Sequence, residues 1–243
     1  DAAVVGGAAA VARAMARRKA PARGRWGRMR RDLRRSYERT LRPVHTPGAV
    51  RLEEVIATLS AELPENAIVS NGAGNYAAFL HRYFAYKDYP TQLAPTSGSM
   101  GYGLPAALAA KLAHPDRPVV ALAGDGCMLM TGQELATAVQ YGLNVVMIVA
   151  NNGMYGTIRM HQERAYPDRV VGTSLVNPDF AAFARSFGAA GATVARTGEF
   201  APILKRALAA SVPTVIELIL DREAISPRET LSEIRGGKRE RKT

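Results

Sequence analysis

Cysteine is almost missing from this chain: Cys127 is the only one in 243 residues. That excludes an internal disulfide framework and any metal cluster held by cysteines of this chain alone, and it makes a reducing cytoplasm the simplest setting. Long apolar runs are missing too. No stretch approaches the roughly 20 residues needed to span a bilayer, so no membrane partner is expected. Histidine is scarce, and His45, His81, His114 and His161 share no metal-ligand spacing. Acidic residues are in deficit, 21 against 32 Lys and Arg, for a net charge of +11. The excess lies mostly between Arg13 and Arg42, with a smaller share at Lys238 to Lys242, and the middle of the chain is nearly balanced. A basic arm can bind polyanions by counterion release. No zinc-finger spacing or basic–aromatic interleaving accompanies it, so a solvated segment is expected and nucleic acid is not the anticipated partner.

What is present is enough for one large domain and an arm. Hydrophobic residues make up 47% of the chain, with abundant glycine and alanine, sufficient for a buried core. Residues 1–45 read as the end of a preceding domain followed by a basic connector, Pro21 to Pro43. Residues 46–225 read as the compact domain and 226–243 as a polar tail, with no hydrophobic period from Arg222 onward. Within the domain the pattern predicts helices at about Arg51–Glu62, Tyr76–Arg82, Leu104–Leu112, Thr131–Tyr141, Pro178–Phe187 and Ala201–Ala210. It predicts strands at Ala67–Ser70, Val119–Ala123, Val145–Ala150, Ala192–Ala195 and Thr214–Leu220. Alternation of this kind specifies an α/β fold, a doubly wound parallel sheet, here with a helical amino-terminal arm.

Two motifs carry the chemistry. Gly124-Asp125-Gly126 and Asn151-Asn152 each follow an apolar, β-branched run, and one helix closed by Gly142 lies between them. A strand–helix–strand unit delivers both to the same carboxyl edge of one sheet. An Asp and an Asn carboxamide converging there, flanked by glycines that permit close backbone approach, suit a hard divalent cation holding a diphosphate.

Those motifs, with Thr96-Ser97-Gly98-Ser99-Met100-Gly101-Tyr102-Gly103 before them, Gln133-Glu134-Leu135-Ala136-Thr137 between them, and Gly153-Met154-Tyr155-Gly156-Thr157-Ile158-Arg159 and Asn177-Pro178-Asp179-Phe180 after them, resemble the diphosphate-binding domain of thiamine-diphosphate-dependent enzymes. The likeness is to the acetolactate synthase-like decarboxylases and carboligases and covers roughly Thr46 to Glu229. It implies the thiamine-diphosphate-binding fold, with thiamine diphosphate and Mg²⁺ as cofactors. Asp125, Asn152 and the Met154 carbonyl are then the expected Mg²⁺ ligands. Gly124, Gly126 and Cys127 are expected at the phosphates, with Gly74, Asn75 and Tyr76 on the other side of the diphosphate and Gly156 and Thr157 also at the cofactor. The Gly74 to Tyr76 segment departs from the Gly-Gln-His-Gln of many acetolactate synthases. Met100 is expected to wedge beneath the cofactor and bend it into a V, with the Gly98 carbonyl holding the pyrimidine amine. Those two are the expected catalytic positions. His161 stands where acetolactate synthases carry a substrate-selecting tryptophan, which makes it the candidate substrate residue and puts the acetolactate assignment in question.

The resemblance also implies partners. Such enzymes act on 2-oxoacids and assemble as homo-oligomers. A glutamate on a separate pyrimidine-binding domain activates the cofactor, and no segment here resembles that domain. Asp1 stands where a start methionine would, and Asp1 to Val5, continuing through Val11 and Met15, resembles the last helix of the family's central domain. The chain therefore reads as a carboxyl-terminal piece of a longer enzyme, inactive alone. The alternatives are a subunit of a split thiamine-diphosphate enzyme, an oxoacid decarboxylase or oxidoreductase, and a non-catalytic module whose basic arm binds polyanions. A Rossmann dehydrogenase is a weaker rival, because Asn71 to Asn75 does not spell Gly-x-Gly-x-x-Gly.

Overall fold

The computed structural model describes residues 5–19 and 26–237. The basic run Lys238 to Lys242, the start of the connector at Pro21 and the opening Asp1 to Val4 lie outside the described residues. Two compact units divide the chain, residues 1–41 and 42–243.

The first unit holds α1 (Ala8–Ala16) and α2 (Gly27–Thr40), neither with a buried residue. The amino-terminal arm is thus helical, and α2 crosses the segment expected to be only a connector. Its Arg34–Glu38 pair is exposed on both sides and contributes little to stability.

The second unit runs α3 (Leu52–Glu62), β1 (Ile68–Asn71), α4 (Asn75–Tyr83), β2 (Gln92–Leu93), α5 (Gly103–Ala113), β3 (Val119–Gly124), α6 (Asp125–Thr131), a 3₁₀ turn at Gly132–Glu134, α7 (Leu135–Gln140), β4 (Val146–Asn151), α8 (Gly156–Ala165), α9 (Phe180–Ser186), β5 (Ala190–Val194), α10 (Phe200–Ala209), β6 (Thr214–Ile219) and α11 (Leu231–Gly236). The six strands form one sheet in the order β2-β1-β3-β4-β6-β5, every pairing parallel. Period-two alternation divides each central strand between two cores. Val120 and Leu122 face one side with Val146, Ile148, Phe79 and Leu204. Val119, Ala121 and Ala123 face the other with Met147, Leu104 and Phe180. Helices on both faces explain why these strands read as continuous apolar runs.

Four elements depart from expectation, the first being α8 (Gly156–Ala165), where no helix was foreseen. The helix foreseen at Thr131–Tyr141 starts earlier, at Asp125, and breaks at Gly132. A side chain there would meet Phe183 and Met128, so the break lets α9 pack close. Its far end is as foreseen: Gly142 has φ 61° and Leu143 N–H donates to Ala138 O at 2.8 Å, a left-handed glycine cap. The two-residue β2 was not foreseen. The expected polar tail contains α11, capped by Thr230, whose hydroxyl accepts from Glu233 N–H. Leu231 and Ile234 of α11 are buried with Met154, Met160 and Ile225.

At Gly191 a Cβ atom would run into the Ala181 carbonyl of α9. Gly191→Ala is expected to destabilise the domain by about 1–3 kcal/mol through overpacking, read as a fall of several degrees in Tm. No helix among the described residues is long and apolar enough to cross a membrane.

Candidate functional site

The chain leaves β1 for β2 on one side and returns to β3 on the other, so the carboxyl ends of β1 and β3 flank a topological switch point, where open α/β sheets bind ligands. A cavity of ≈ 260 Å³ lies there. Gly74, Asn75 and Tyr76 line it from the start of α4, and Gly124, Asp125, Gly126 and Cys127 from the β3–α6 junction. Asn152, Met154, Gly156 and Thr157 reach it from the β4–α8 loop, and Gly98 and Met100 from the loop before α5. The register explains the meeting. Gly124 pairs with Ala150, so Asp125 and Asn151 leave adjacent strands at the same height.

Asp125 is the only charged side chain lining the cavity among the described residues. It is 3% exposed. Its Oδ2 accepts from Gly153 N–H and from Asn177 Nδ2, each at 2.8 Å, and its Oδ1 from Gly126 N–H at 2.9 Å. Burial pushes its carboxyl up from the ordinary value, and these hydrogen bonds pull the other way. No Lys, Arg or His pairs with it among the described residues.

The helices α4 and α8 begin at the cavity wall without a side-chain cap, so their first N–H groups and positive ends suit an anion. Asn75 ties the two together. Its Oδ1 accepts from Thr157 Oγ1 at 3.0 Å, while among the described residues its Nδ2 meets the Met160 sulfur at 3.4 Å, a weak acceptor that an anionic oxygen would outcompete.

Met100 sits between two glycines in the left-handed region, Gly98 at φ 68° and Gly101 at φ 80°. Only glycine adopts such angles without strain. Thr131 Oγ1 donates to the Gly101 carbonyl at 2.8 Å, and Ser70 Oγ to the Gly103 carbonyl at 2.7 Å. The loop is thereby pinned to both α6 and β1.

Aromatic rings occupy part of the room the glycines leave. Tyr76 lies against Gly74 and Gly124 and donates to Cys127 Sγ at 3.3 Å, and Tyr155 lies against Gly126. Burial raises the Tyr76 phenol above its usual range, so it acts as a neutral donor. The structure does not bring His161 to this cavity: it is exposed on α8, whereas Ile158, three residues earlier, lines the wall. Leu220, Ala224 and Ile225 complete an apolar side that came from a segment read partly as tail. Tyr155, Ile158 and, behind the wall, Asn177 were likewise unforeseen, though all three sat in quoted motifs without a role.

A parallel α/β sheet with uncapped helix starts and one buried carboxylate at its switch point defines a phosphate-ester-binding class of site. The comparisons then specify which one. The family of the thiamine pyrophosphate enzyme C-terminal TPP binding domain matches residues 72–218. The acetolactate synthase large subunit of Parasynechococcus marenigrum (strain WH8102) is 35% identical over 184 residues, 75% of this chain and 29% of that protein. The sulfoacetaldehyde acetyltransferase of Castellaniella defragrans is 34% identical over 186 residues, 74% of this chain and 31% of that protein. Among solved structures, the Rhodococcus jostii RHA1 thiamine diphosphate-dependent 4-hydroxybenzoylformate decarboxylase superposes with a TM-score of 0.69 at 32% identity, covering 74% of this chain and 34% of its own. The chain belongs to this family, as an acetolactate synthase-like, carboxyl-terminal thiamine pyrophosphate-binding domain. It spans about a third of the length of these relatives.

Proposed function

We propose that this chain is the diphosphate-holding half of a thiamine-diphosphate enzyme acting on 2-oxoacids, with one Mg²⁺ joining protein to cofactor. The observation that carries the reading is the convergence of four separated segments, around Gly74, Gly98, Gly124 and Asn152, on one cavity at the switch point. The donor set fits the ion. Mg²⁺ prefers oxygen, one or two carboxylates, waters and phosphate oxygens rather than an all-protein cage. The site offers the buried Asp125 carboxylate, the Asn152 carboxamide and the Met154 carbonyl, and no group of three His, Cys, Asp or Glu that would hold a metal unaided exists among the described residues.

Asp125, Asn152 and Met154 would hold the ion, and the α4 and α8 starts with Asn75 would receive the diphosphate. When bound, thiamine supplies carbanion stabilisation at the 2-oxo carbon. The protein's part is to place it. Met100, on the loop pinned by Thr131 and Ser70, would support the cofactor in a reactive conformation, and Leu220 and Ile225 would keep water from the apolar side. The relatives are named for acetolactate synthesis, sulfoacetaldehyde acetyl transfer and 4-hydroxybenzoylformate decarboxylation, and the class we assign is a carbonyl substrate at which the cofactor, when bound, would stabilise a carbanion. A pyrimidine-binding domain, from the same polypeptide or a partner, and a homo-oligomeric assembly complete the site.

Calorimetric titration of thiamine diphosphate with and without Mg²⁺ tests the assignment. Binding that requires the metal supports it; no binding when the pyrimidine domain is also supplied overturns it. Met100→Ala is expected to retain metal-dependent binding within about threefold while lowering kcat of the assembled enzyme by about 10- to 100-fold, since support of a reactive geometry acts on the chemical step.

A further inference from the structure

Behind Asp125 lies a run of buried and half-buried polar side chains that the cofactor reading does not use. Glu217 on β6 is 3% exposed, and its Oε1 accepts from Asn151 Nδ2 at 2.7 Å. Asn151 Oδ1 in turn accepts from Asn177 Nδ2 at 2.8 Å and from Gly153 N–H at 3.1 Å. The same Asn177 Nδ2 donates to Asp125 Oδ2 at 2.8 Å. Asn177 Oδ1 is buried without a partner among the described residues.

The orientations follow by elimination. A backbone N–H only donates, so the Asn151 atom that meets Gly153 N–H is its oxygen, and its NH₂ is the group that faces Glu217. Asn177 then faces two acceptor oxygens, one from Asn151 and one from Asp125, and only its NH₂ satisfies both. Turning that amide over would set oxygen against oxygen twice. The two asparagines of the Asn-Asn motif therefore divide the labour: Asn152 faces the cavity, and Asn151 fixes the amide that grips Asp125 from behind.

We infer that Asn177 is a positioning residue for the metal, holding the Asp125 carboxylate so that its bonding capacity points at the ion. The inference rests on the Mg²⁺ reading above. Residues that orient a metal ligand typically contribute 10- to 100-fold in metal affinity, and the buried donor–acceptor set here is complete except for the unused Asn177 oxygen.

The test is Mn²⁺ affinity, measured by electron paramagnetic resonance of the free ion at saturating thiamine diphosphate, for the wild type, Asp125→Ala, Asn177→Ala and Asn177→Ser. Thermal midpoints of the metal-free proteins and the thiamine diphosphate Kd at saturating Mn²⁺ are recorded alongside. The expected result is a Kd for Mn²⁺ raised about 10- to 100-fold in Asn177→Ala and less in Asn177→Ser, whose hydroxyl keeps one donor. The thiamine diphosphate Kd at saturating metal should stay within about twofold. Unchanged Mn²⁺ affinity in both Asn177 variants, with loss in Asp125→Ala, overturns this inference and leaves the cofactor site standing. Equal weakening of Mn²⁺ and of thiamine diphosphate at saturating metal reduces Asn177 to a packing residue and also overturns it. Equal Mn²⁺ binding by wild type and Asp125→Ala overturns the metal reading and this inference together. Should the alanine variant not fold, the serine variant carries the same comparison.

Discussion

Asp125→Asn is expected to abolish Mg²⁺-dependent binding of thiamine diphosphate, raising the Kd at least about 100-fold. The reason is the charge of the site. Asp125 is the one charged side chain lining the cavity among the described residues, and affinity for hard cations follows the charge count of the ligands. Removing it leaves a carboxamide and a carbonyl to hold a divalent ion against a hydrated competitor. The asparagine variant is preferable to alanine here, because its oxygen still accepts from Gly153 N–H and Asn177 Nδ2. Alanine would leave both donors with Asn151 Oδ1 as their shared acceptor and would take the carboxylate oxygen from Gly126 N–H. The accompanying measurement is thermal unfolding. Wild-type Tm should rise on adding Mg²⁺ and thiamine diphosphate together, as ligand linkage requires, and the Asp125→Asn midpoint should not respond.

The second large effect lies in α8 and α11. Glu163 of α8 is buried, and its carboxylate receives Arg159 and both the Nε and a terminal nitrogen of Arg235, at 2.9 to 3.0 Å by hydrogen bond. Arg235 belongs to α11 and also pairs with Asp168 at 3.1 Å. The Arg235 hydrogen bonds are the main reason the Glu163 carboxyl is lowered to about 2, with burial opposing. Breaking a buried pair by removing one partner costs about 3–5 kcal/mol. The two arginines are 13% and 29% exposed and can partly rehydrate, so Glu163→Gln should fall at the lower end.

A carboxyl lowered in the folded state stabilises above its unfolded pKa of about 4.3. That contribution is lost as pH falls below the unfolded value and on through about 2. Wild-type stability should therefore drop over that window more steeply than that of Glu163→Gln. The loss should be local first, since α11 is short and joined to the rest through Leu231, Ile234 and Arg235. Faster amide hydrogen exchange confined to residues 222–237 checks this. Met154 shares that buried cluster, so a loosened α11 also loosens the loop whose carbonyl is proposed to hold the metal.

Where the sequence could be read, one cause sufficed. The strands β3 and β4 are covered on both faces, so apolar runs ending in Gly-Asp-Gly and Asn-Asn announced both the sheet and its functional edge. The cavity residues expected from the motifs meet because strand register, a local property, sets their height. What could not be read depends on contacts far along the chain. Asn177 matters through Asp125, 52 positions earlier. The α11 segment looked polar because just Leu231 and Ile234 bury an apolar side, and two of their partners, Met154 and Met160, lie far earlier in the chain. His161 shows the limit of counting from a motif. Ile158 and His161, three positions apart, share one side of α8; Ile158, near the helix start, lines the cavity, while His161, a turn farther on, is exposed.

The strand order has a consequence for synthesis. Among the described residues the strand β5 pairs with β6 alone, and β6 is made after it yet inserts between β5 and β4. A nascent chain that has completed β4 therefore carries an open edge, Val146 to Asn151, until the ribosome has added the 68 residues from 151 to 219. At about 5–20 residues per second that is on the order of 3–14 s, during which a six-residue apolar edge is available to a neighbouring nascent chain or a chaperone.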